Sequence, residues 1–291
     1  VSDPLVTVIT PTYNCAKFLL TAVSSVLSQS YYNVEYLVLD DGSTDLTQDL
    51  LVEIRDRRLT RIWDRNKGET LTVNKGIELA TGKYFIIVNA DDFIGTNCIK
   101  SLVTYMEENK KVLLTYPDWV STHESGRVKS FIRVPEFSTD LEICKHFNLP
   151  GPGSMYRTKE VIRKVGFRDP TFKYIADLDY FWRISLTGPV RHLEGFHAYW
   201  RNRKGQLSSQ RSKLMAEDHI KLVDKLLVNP LVPKELVLNS RELYFWSYLV
   251  ALAISKNPNY LKKAITIWPE GSVKWSTYSG LLRYAHYILR R

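Results

Sequence analysis

The run Tyr84-Phe-Ile-Ile-Val88 stops abruptly on Asn89-Ala90-Asp91-Asp92, and that junction constrains the fold more than any other stretch. So short a run of apolar or β-favouring residues suits a buried strand, not a helix. Carboxylates at the end of a buried strand cost desolvation energy unless a cation or hydrogen-bond donors answer them. In an open α/β sheet that end is also where ligands bind. Two adjacent acids there offer hard oxygens to Mg²⁺ or Mn²⁺, ions that commonly bridge a nucleotide's phosphates. Taken alone, such an Asp pair more often makes a turn or caps a helix.

The same pattern recurs upstream. Leu5 to Thr10 reads as a strand closed by Pro11-Thr12-Tyr13-Asn14. Asn14 is placed to cap a helix from Cys15 to Gln29, with Phe18, Leu19, Ala22, Val23, Val26 and Leu27 at helical spacing. Val34 to Leu39 is a second strand, ending on Asp40-Asp41-Gly42-Ser43-Thr44-Asp45, with Ser43 or Thr44 as the cap of the next helix. Arg61 to Trp63 is a third strand, and a helix from Leu71 to Ala80 stops at Thr81-Gly82. A helix over 97–108 and a strand over 112–116 follow the strand ending at Asn89. Alternation of this kind predicts a doubly wound, right-handed, mostly parallel α/β sheet with helices on both faces.

From Pro117 to Pro152 the alternation weakens, and Pro150-Gly151-Pro152-Gly153 reads as a rigid turn-rich loop. Helices are expected over 158–165 and 175–186, then over 213–228, 233–255, 259–268 and 273–290. The organisation expected is a nucleotide-binding half over 1–116, an acceptor-binding half of the same domain over 117–210, and a helical, basic extension over 211–291.

Thr10–Asn14, Asp40–Asp41 and Asn89–Asp92 end parallel strands, so one sheet brings them to one edge as a nucleotide crevice. Neither G-x-G-x-x-G nor G-x-x-x-x-G-K-[ST] occurs, which argues against a dinucleotide dehydrogenase and a P-loop NTPase. With 44% apolar and 24% charged residues the chain reads as an ordinary soluble globular protein. Cys15, Cys98 and Cys144 are too dispersed for a zinc cluster or a disulfide framework, and a reducing, cytoplasmic location fits. No signal peptide opens the sequence, and its longest apolar run, Leu243 to Ile254, is too short to span a bilayer. Residues 201–291 hold 16 Lys/Arg against 6 Asp/Glu, whereas residues 1–200 are close to neutral. That asymmetry favours anionic lipid or phosphate-bearing partners over nucleic acid.

Val8-Ile-Thr-Pro-Thr-Tyr-Asn14, Leu39-Asp-Asp-Gly-Ser-Thr-Asp45, Asn74-Lys-Gly-Ile77, Ala80-Thr-Gly82 and Asn89-Ala-Asp-Asp92 resemble the nucleotide-binding half of the family-2 inverting glycosyltransferases. Val165-Gly-Phe-Arg-Asp169 and Ile175-Ala-Asp-Leu-Asp-Tyr-Phe-Trp-Arg183 resemble the acceptor half, so the likeness covers roughly residues 5–210. The resemblance implies a GT-A-like fold. It implies that Asp41 meets the donor base, flanked by Pro11, Thr12, Tyr13 and Asn14. Lys67 would meet a phosphate or the base, with Asn74, Asn89 and Ala90 completing the donor site. Asp91 would be the metal ligand of the family's D-x-D, with Asp92 beside it and Mg²⁺ or Mn²⁺ as cofactor. Asn89 stands where the first Asp is expected and brings no charge. Asp177 would be the base that takes the acceptor's proton. Asp179 is its rival, but it lies about 200° round a helix from Asp177 and is spaced to pair with Arg183 at the surface. Gly153 and Trp182 fall in the acceptor region.

Relatives often carry a histidine where Trp200-Arg-Asn-Arg203 places Arg203. Arginine does not ligate a metal but clamps a diphosphate bidentately; His197 is a second metal candidate. The absence of Q-x-x-R-W, the mark of processive synthases, favours transfer of one sugar, from a UDP- or dTDP-linked donor to a glycan, lipid-linked or protein acceptor. A sugar-1-phosphate nucleotidyltransferase and a catalytically silent nucleotide-sugar binder are the alternatives. Trp275, Tyr278, Leu281, Leu282, Ala285, Ile288 and Leu289 share one helical face beside Lys274, Arg283, Arg290 and Arg291. Such a helix suits peripheral contact with the inner face of a membrane, packing on its neighbours, or self-association into an oligomer.

Overall fold

The computed structural model describes residues 3–137, 150–206, 212–238 and 240–267. The chain divides into two compact units. The first gathers Val1–Phe137, Leu149–Pro170 and Arg183–Arg203; the second gathers Ser138–Asn148, Thr171–Trp182 and Lys204–Arg291.

In the first unit the elements begin as the sequence predicts: β1 (Val6–Thr12), α1 (Ala16–Leu27), β2 (Val34–Asp40), α2 (Thr47–Glu53), β3 (Leu59–Trp63), α3 (Glu69–Leu79), β4 (Tyr84–Ile87). They continue with β5 (Phe93–Ile94), α4 (Cys98–Glu108), β6 (Leu114–Thr122), β7 (Val128–Ile132), β8 (Met155–Arg157), α5 (Thr158–Val165) and β9 (Val190–Arg201). Nine strands among the described residues form one sheet in the order β3-β2-β1-β4-β8-β6-β9-β5, with β7 beside β6. Strands β3, β2, β1 and β4 are all parallel, as alternating strands and helices require. Strand β8 is antiparallel to both β4 and β6, and β6 is parallel to β9, so the far side is mixed.

Burial explains the central strands. Every residue of β1 is buried, and Val6, Val8 and Ile9 are fully so. Each such aliphatic contributes about 1.5–3 kcal/mol by leaving water. Helix α3 approaches closely at Gly76, where a Cβ would sit 2.4 Å from Cγ2 of Ile9 and 3.2 Å from Cδ1 of Leu39. Gly82 ends the α3 segment through space and not through a left-handed cap. A Cβ there would meet the backbone N of Thr7 at 2.6 Å, so only glycine lets the chain turn into β4 against β1.

Two capping expectations are corrected. Asn14 does not cap α1. It has φ +49°, and its Oδ1 accepts the N–H of Thr44 at 2.7 Å and of Asp45 at 3.3 Å. The caps come from Asp45, not from Ser43 or Thr44: its Oδ2 accepts Ala16 N–H at 3.1 Å and its Oδ1 accepts Thr47 N–H at 3.0 Å. One carboxylate thus serves the amino ends of α1 and α2, where the helix dipoles favour negative charge.

The second unit holds most of α6 (Ala176–Ser185), then α7 (Lys213–Leu227), α8 (Lys234–Leu238), α9 (Ser240–Ser255) and α10 (Pro258–Thr266). The helix expected over 233–255 is found in its described residues, as α8 and α9, with residue 239 between them outside the described residues. Ala216, Val250, Ala251, Ile254 and Tyr260 form its core. Ser212 caps α7 by accepting Met215 N–H, and Asn257 caps α10 with Pro258 at the first helical position. The helix expected over 273–290 lies outside the described residues. No helix among the described residues is long and apolar enough to cross a membrane.

Candidate active site

The carboxyl ends of β1, β2 and β4 lie side by side, because β1 pairs in parallel with both neighbours. Each acid there is answered differently. Asp40 is fully buried and committed to its own loop: it accepts the Ser43 hydroxyl, the Ser43 N–H at 3.1 Å and the Gln48 amide at 2.6 Å. Asp41, 3% exposed, accepts Lys67 N–H at 2.7 Å and Gly68 N–H at 2.8 Å. Gly68 is the residue before α3, so this carboxylate sits at a helix amino end. Gly42 makes the reach feasible: its φ is +77°, and a Cβ would lie 2.9 Å from Asn66 N. The Lys67 ammonium pairs with Asp64.

Around Asp41, the Thr12 carbonyl accepts Asp41 N–H at 2.9 Å. The Thr12 hydroxyl is buried without a hydrogen-bond partner among the described residues. Pro11 is buried at the end of β1 and Tyr13 is exposed beside it. Asn74 lies on α3 and clamps one residue twice, its amide donating to the Arg168 carbonyl at 2.8 Å and accepting Arg168 N–H at 2.9 Å. Arg168 in turn reaches Glu69 at 2.9 Å.

After β4 the chain turns tightly, with Asp92 N–H donating to the Asn89 carbonyl at 3.0 Å. Asn89 is exposed and Ala90 buried. Asp92 points inward, 5% exposed, where its Oδ1 accepts Arg201 N–H at 2.8 Å and its Oδ2 contacts the Asn89 amide at 3.5 Å. Burial first, then the Asp91 charge, push its carboxyl well above the usual range. Asp91 points the other way, and its Oδ2 accepts Nε of Arg203 at 2.7 Å. Burial draws the Arg203 pKa down, but Asp91 outweighs it and the guanidinium is held above its ordinary value.

Sequence reasoning missed what holds the arginines. Arg201 and Arg203 both lie over the ring of Phe18, at 5.1 and 5.5 Å, and Arg201 also lies over Phe93 at 5.3 Å. Arg201 donates to the Asp91 carbonyl at 2.8 Å. Phe18 was legible only as an apolar position of α1. Cys15 lies 3.9 Å from Arg203, and burial, then Asp91, raise its thiol pKa, so it is an inert neighbour.

The remaining residues are placed elsewhere. His197 precedes Arg201 on β9 by about 13 Å of extended chain, with its pKa lowered by burial against an opposing Asp118 charge. The strand does not bring it to Asp91. Gly153 has φ +77° and packs where a Cβ would meet Ala198 at 2.7 Å. Asp177 and Trp182 belong to the second unit. Asp177 is half-buried in the first turn of α6 and accepts Leu178 N–H at 2.8 Å. Asp179 is 2% exposed and pairs with Lys225 at 2.7 Å, so it is a buried ion-pair member and not a surface one. Trp182 is buried.

No group of three or more His, Cys, Asp or Glu among the described residues forms a metal cage. Asp91 and the Asn89 amide are hard oxygen donors, and such a set fits a divalent ion held jointly with substrate phosphates.

The family model described as glycosyl transferase family 2 matches residues 7–175. The chain is 28% identical over 218 residues to UDP-Glc:alpha-D-GlcNAc-diphosphoundecaprenol beta-1,3-glucosyltransferase WfaP of Escherichia coli, covering 72% of this chain and 82% of that protein. It is 39% identical over 132 residues to an uncharacterized glycosyltransferase of Haemophilus influenzae, covering 44% and 41%, and 26% identical over 232 residues to the chondroitin synthase of Escherichia coli, covering 77% and 33%. The chain therefore spans less than half the length of the latter two. Among solved structures, S. aureus TarS 1-349 in complex with UDP-GlcNAc superposes with a TM-score of 0.70 at 18% identity, covering 90% of this chain and 79% of that one. Mannosyltransferase PcManGT from Pyrobaculum calidifontis, in complex with GDP-Man and Mn²⁺, gives 0.62 at 17% identity, covering 99% and 81%. At such identities the structures speak for the fold, a GT-A-like mixed sheet flanked by helices.

Proposed function

The chain belongs to glycosyltransferase family 2 and transfers a sugar from a nucleotide sugar, and from that premise we propose a single-sugar, inverting transferase with a UDP- or dTDP-linked donor. The acceptor is a glycan, a lipid-linked sugar or a protein. The observation that carries the reading is that Asp41 and Asp91 follow β2 and β4, the two parallel neighbours of β1, one buried against a helix amino end and the other facing Arg203.

Asp41 keeps acceptor capacity for a base N–H, since each carboxylate oxygen has two lone-pair sites. The Thr12 hydroxyl, without a partner among the described residues, supports a donor base there, because a buried hydroxyl left unpaired is costly. Arg203 holds the diphosphate as a fork, with Arg201 fixed behind it. Asp91 and Asn89 would hold Mg²⁺ or Mn²⁺, and the ion would supply positive charge against the departing diphosphate. Asp177 accepts the proton of the acceptor hydroxyl as its oxygen bonds the anomeric carbon on the face opposite the leaving diphosphate, which inverts that centre. A positioned general base contributes roughly 10²–10⁴-fold.

The test is donor turnover, to an acceptor or to water, by Asp177→Asn beside UDP binding. Loss of roughly two to four orders of magnitude with binding intact supports the role. Near-normal turnover removes Asp177 from it.

A further inference from the structure

Arg203 occupies the carboxylate that a metal ion needs. Its Nε and Oδ2 of Asp91 are 2.7 Å apart, and the two side chains are only 21% and 16% exposed. Arg201 donates to the Asp91 carbonyl, and both guanidiniums rest on the Phe18 ring. A divalent ion arriving alone therefore meets two fixed positive charges and must displace one of them from Asp91. A guanidinium cannot lose its proton to make way. It moves only toward a better anion, and a diphosphate, which an arginine fork engages bidentately, is one. A histidine at this position behaves differently, since a neutral imidazole is itself a metal ligand.

We propose that Arg203 withholds the Asp91 carboxylate from a divalent cation until a nucleoside diphosphate takes over the guanidinium, so that metal binding is conditional on nucleotide. This rests on the reading of the strand ends as the donor site. Arg203 exchanges a carboxylate for a phosphate, the cation takes the carboxylate, and no covalent bond changes. Phe18 is the platform that keeps the guanidinium within reach of both partners. Binding order follows: nucleotide before metal, or both together, and never metal first.

The experiment measures Mn²⁺ binding from the loss of the free-ion paramagnetic resonance signal, with and without saturating UDP. Metal-free UDP binding is measured separately by calorimetry. Wild type, Arg203→Gln and Arg203→Lys are compared as full chains, with melting temperatures as the check on folding. Wild type is expected to bind Mn²⁺ at least about 10-fold more tightly with UDP than without. Arg203→Gln is expected to bind Mn²⁺ without UDP about 10–100-fold more tightly than wild type does. Arg203→Lys keeps the charge and is expected to keep the nucleotide requirement.

Equal Mn²⁺ affinity of wild type with and without UDP overturns the proposal, as does Arg203→Gln matching wild type, or no Mn²⁺ binding in any state. If Arg203→Gln fails to fold, Arg203→Met takes its place in the comparison without UDP, because the phosphates of UDP tighten Mn²⁺ binding whatever Arg203 does. Metal-free UDP binding with any of those results leaves the donor site standing and removes only the conditional metal. Absence of UDP binding removes both.

Discussion

Oδ1 of Asp92 accepts the backbone N–H of Arg201 at 2.8 Å, a bond between residues 109 apart that ties the turn after β4 to the end of β9. The two acids of the Asn89–Asp92 turn thereby divide their work. Asp92 is sunk into the fold to place Arg201, and Asp91 is left facing Arg203.

Burial, reinforced by Asp91, holds the Asp92 carboxyl above the usual carboxylate range. In the unfolded chain it ionises near pH ~4. Between that pH and its folded pKa the native state binds more protons, so its contribution is complete below about pH 4 and is lost as pH rises. Asp92→Asn, which keeps an acceptor for Arg201, is expected to flatten the fall in stability as pH rises above about 4, read by melting temperature without nucleotide. Parallel curves for the two proteins refute this.

Asp45 has the opposite sign. Burial pushes its carboxyl up, but hydrogen bonds from Thr47 and Ala16 more than offset this and hold it below the usual range. Its contribution is present above the unfolded pKa and is lost as pH falls through the folded one. Asp45→Ala removes the cap of α1 and α2 and is expected to cost about 0.5–2 kcal/mol per cap in denaturant unfolding at pH 7. The difference from wild type narrows in acid.

Gly42→Ala places a Cβ at φ +77° and 2.9 Å from Asn66 N. A cost of about 1–3 kcal/mol is expected, together with weaker UDP binding, because the loop that Asp41 grips must shift. Calorimetry of UDP binding beside chemical denaturation measures both.

Asp177 and Asp179 are expected to separate cleanly. Asp179 is buried against Lys225, so Asp179→Asn lowers stability by about 1–3 kcal/mol. Asp177→Asn stays within about 0.5 kcal/mol of wild type while turnover collapses. Melting and turnover measured on the same two variants give four numbers, and a swap of the two patterns reverses the assignment.

The strand ends were legible because short apolar runs that stop on acids have few alternatives, and the family likeness of their motifs put roles on them. Local rules failed where the partner is distant. Asn14 looks like a cap for the helix beside it, yet it serves the loop at Thr44 and Asp45. Asp179 is spaced for Arg183 but pairs with Lys225 from another helix. Strand β6 runs on through Pro117 to Thr122, and β9 lacks clean alternation because its register against β6 shifts around Pro117 and Asp118. Phe18 carries no sequence mark, since a ring beneath two arginines reads as one more core residue of α1.

The most direct test of the donor site is the melting-temperature shift produced by UDP, dTDP and GDP with Mn²⁺, in wild type, Asp41→Asn and Asp91→Asn. A ligand of the folded state raises apparent stability by about 2.7 kcal/mol at a hundredfold excess over Kd. The expected result is a rise with UDP or dTDP that shrinks in both variants. A rise of the same size in wild type and Asp41→Asn, or none with any nucleotide, contradicts a donor site at these strand ends.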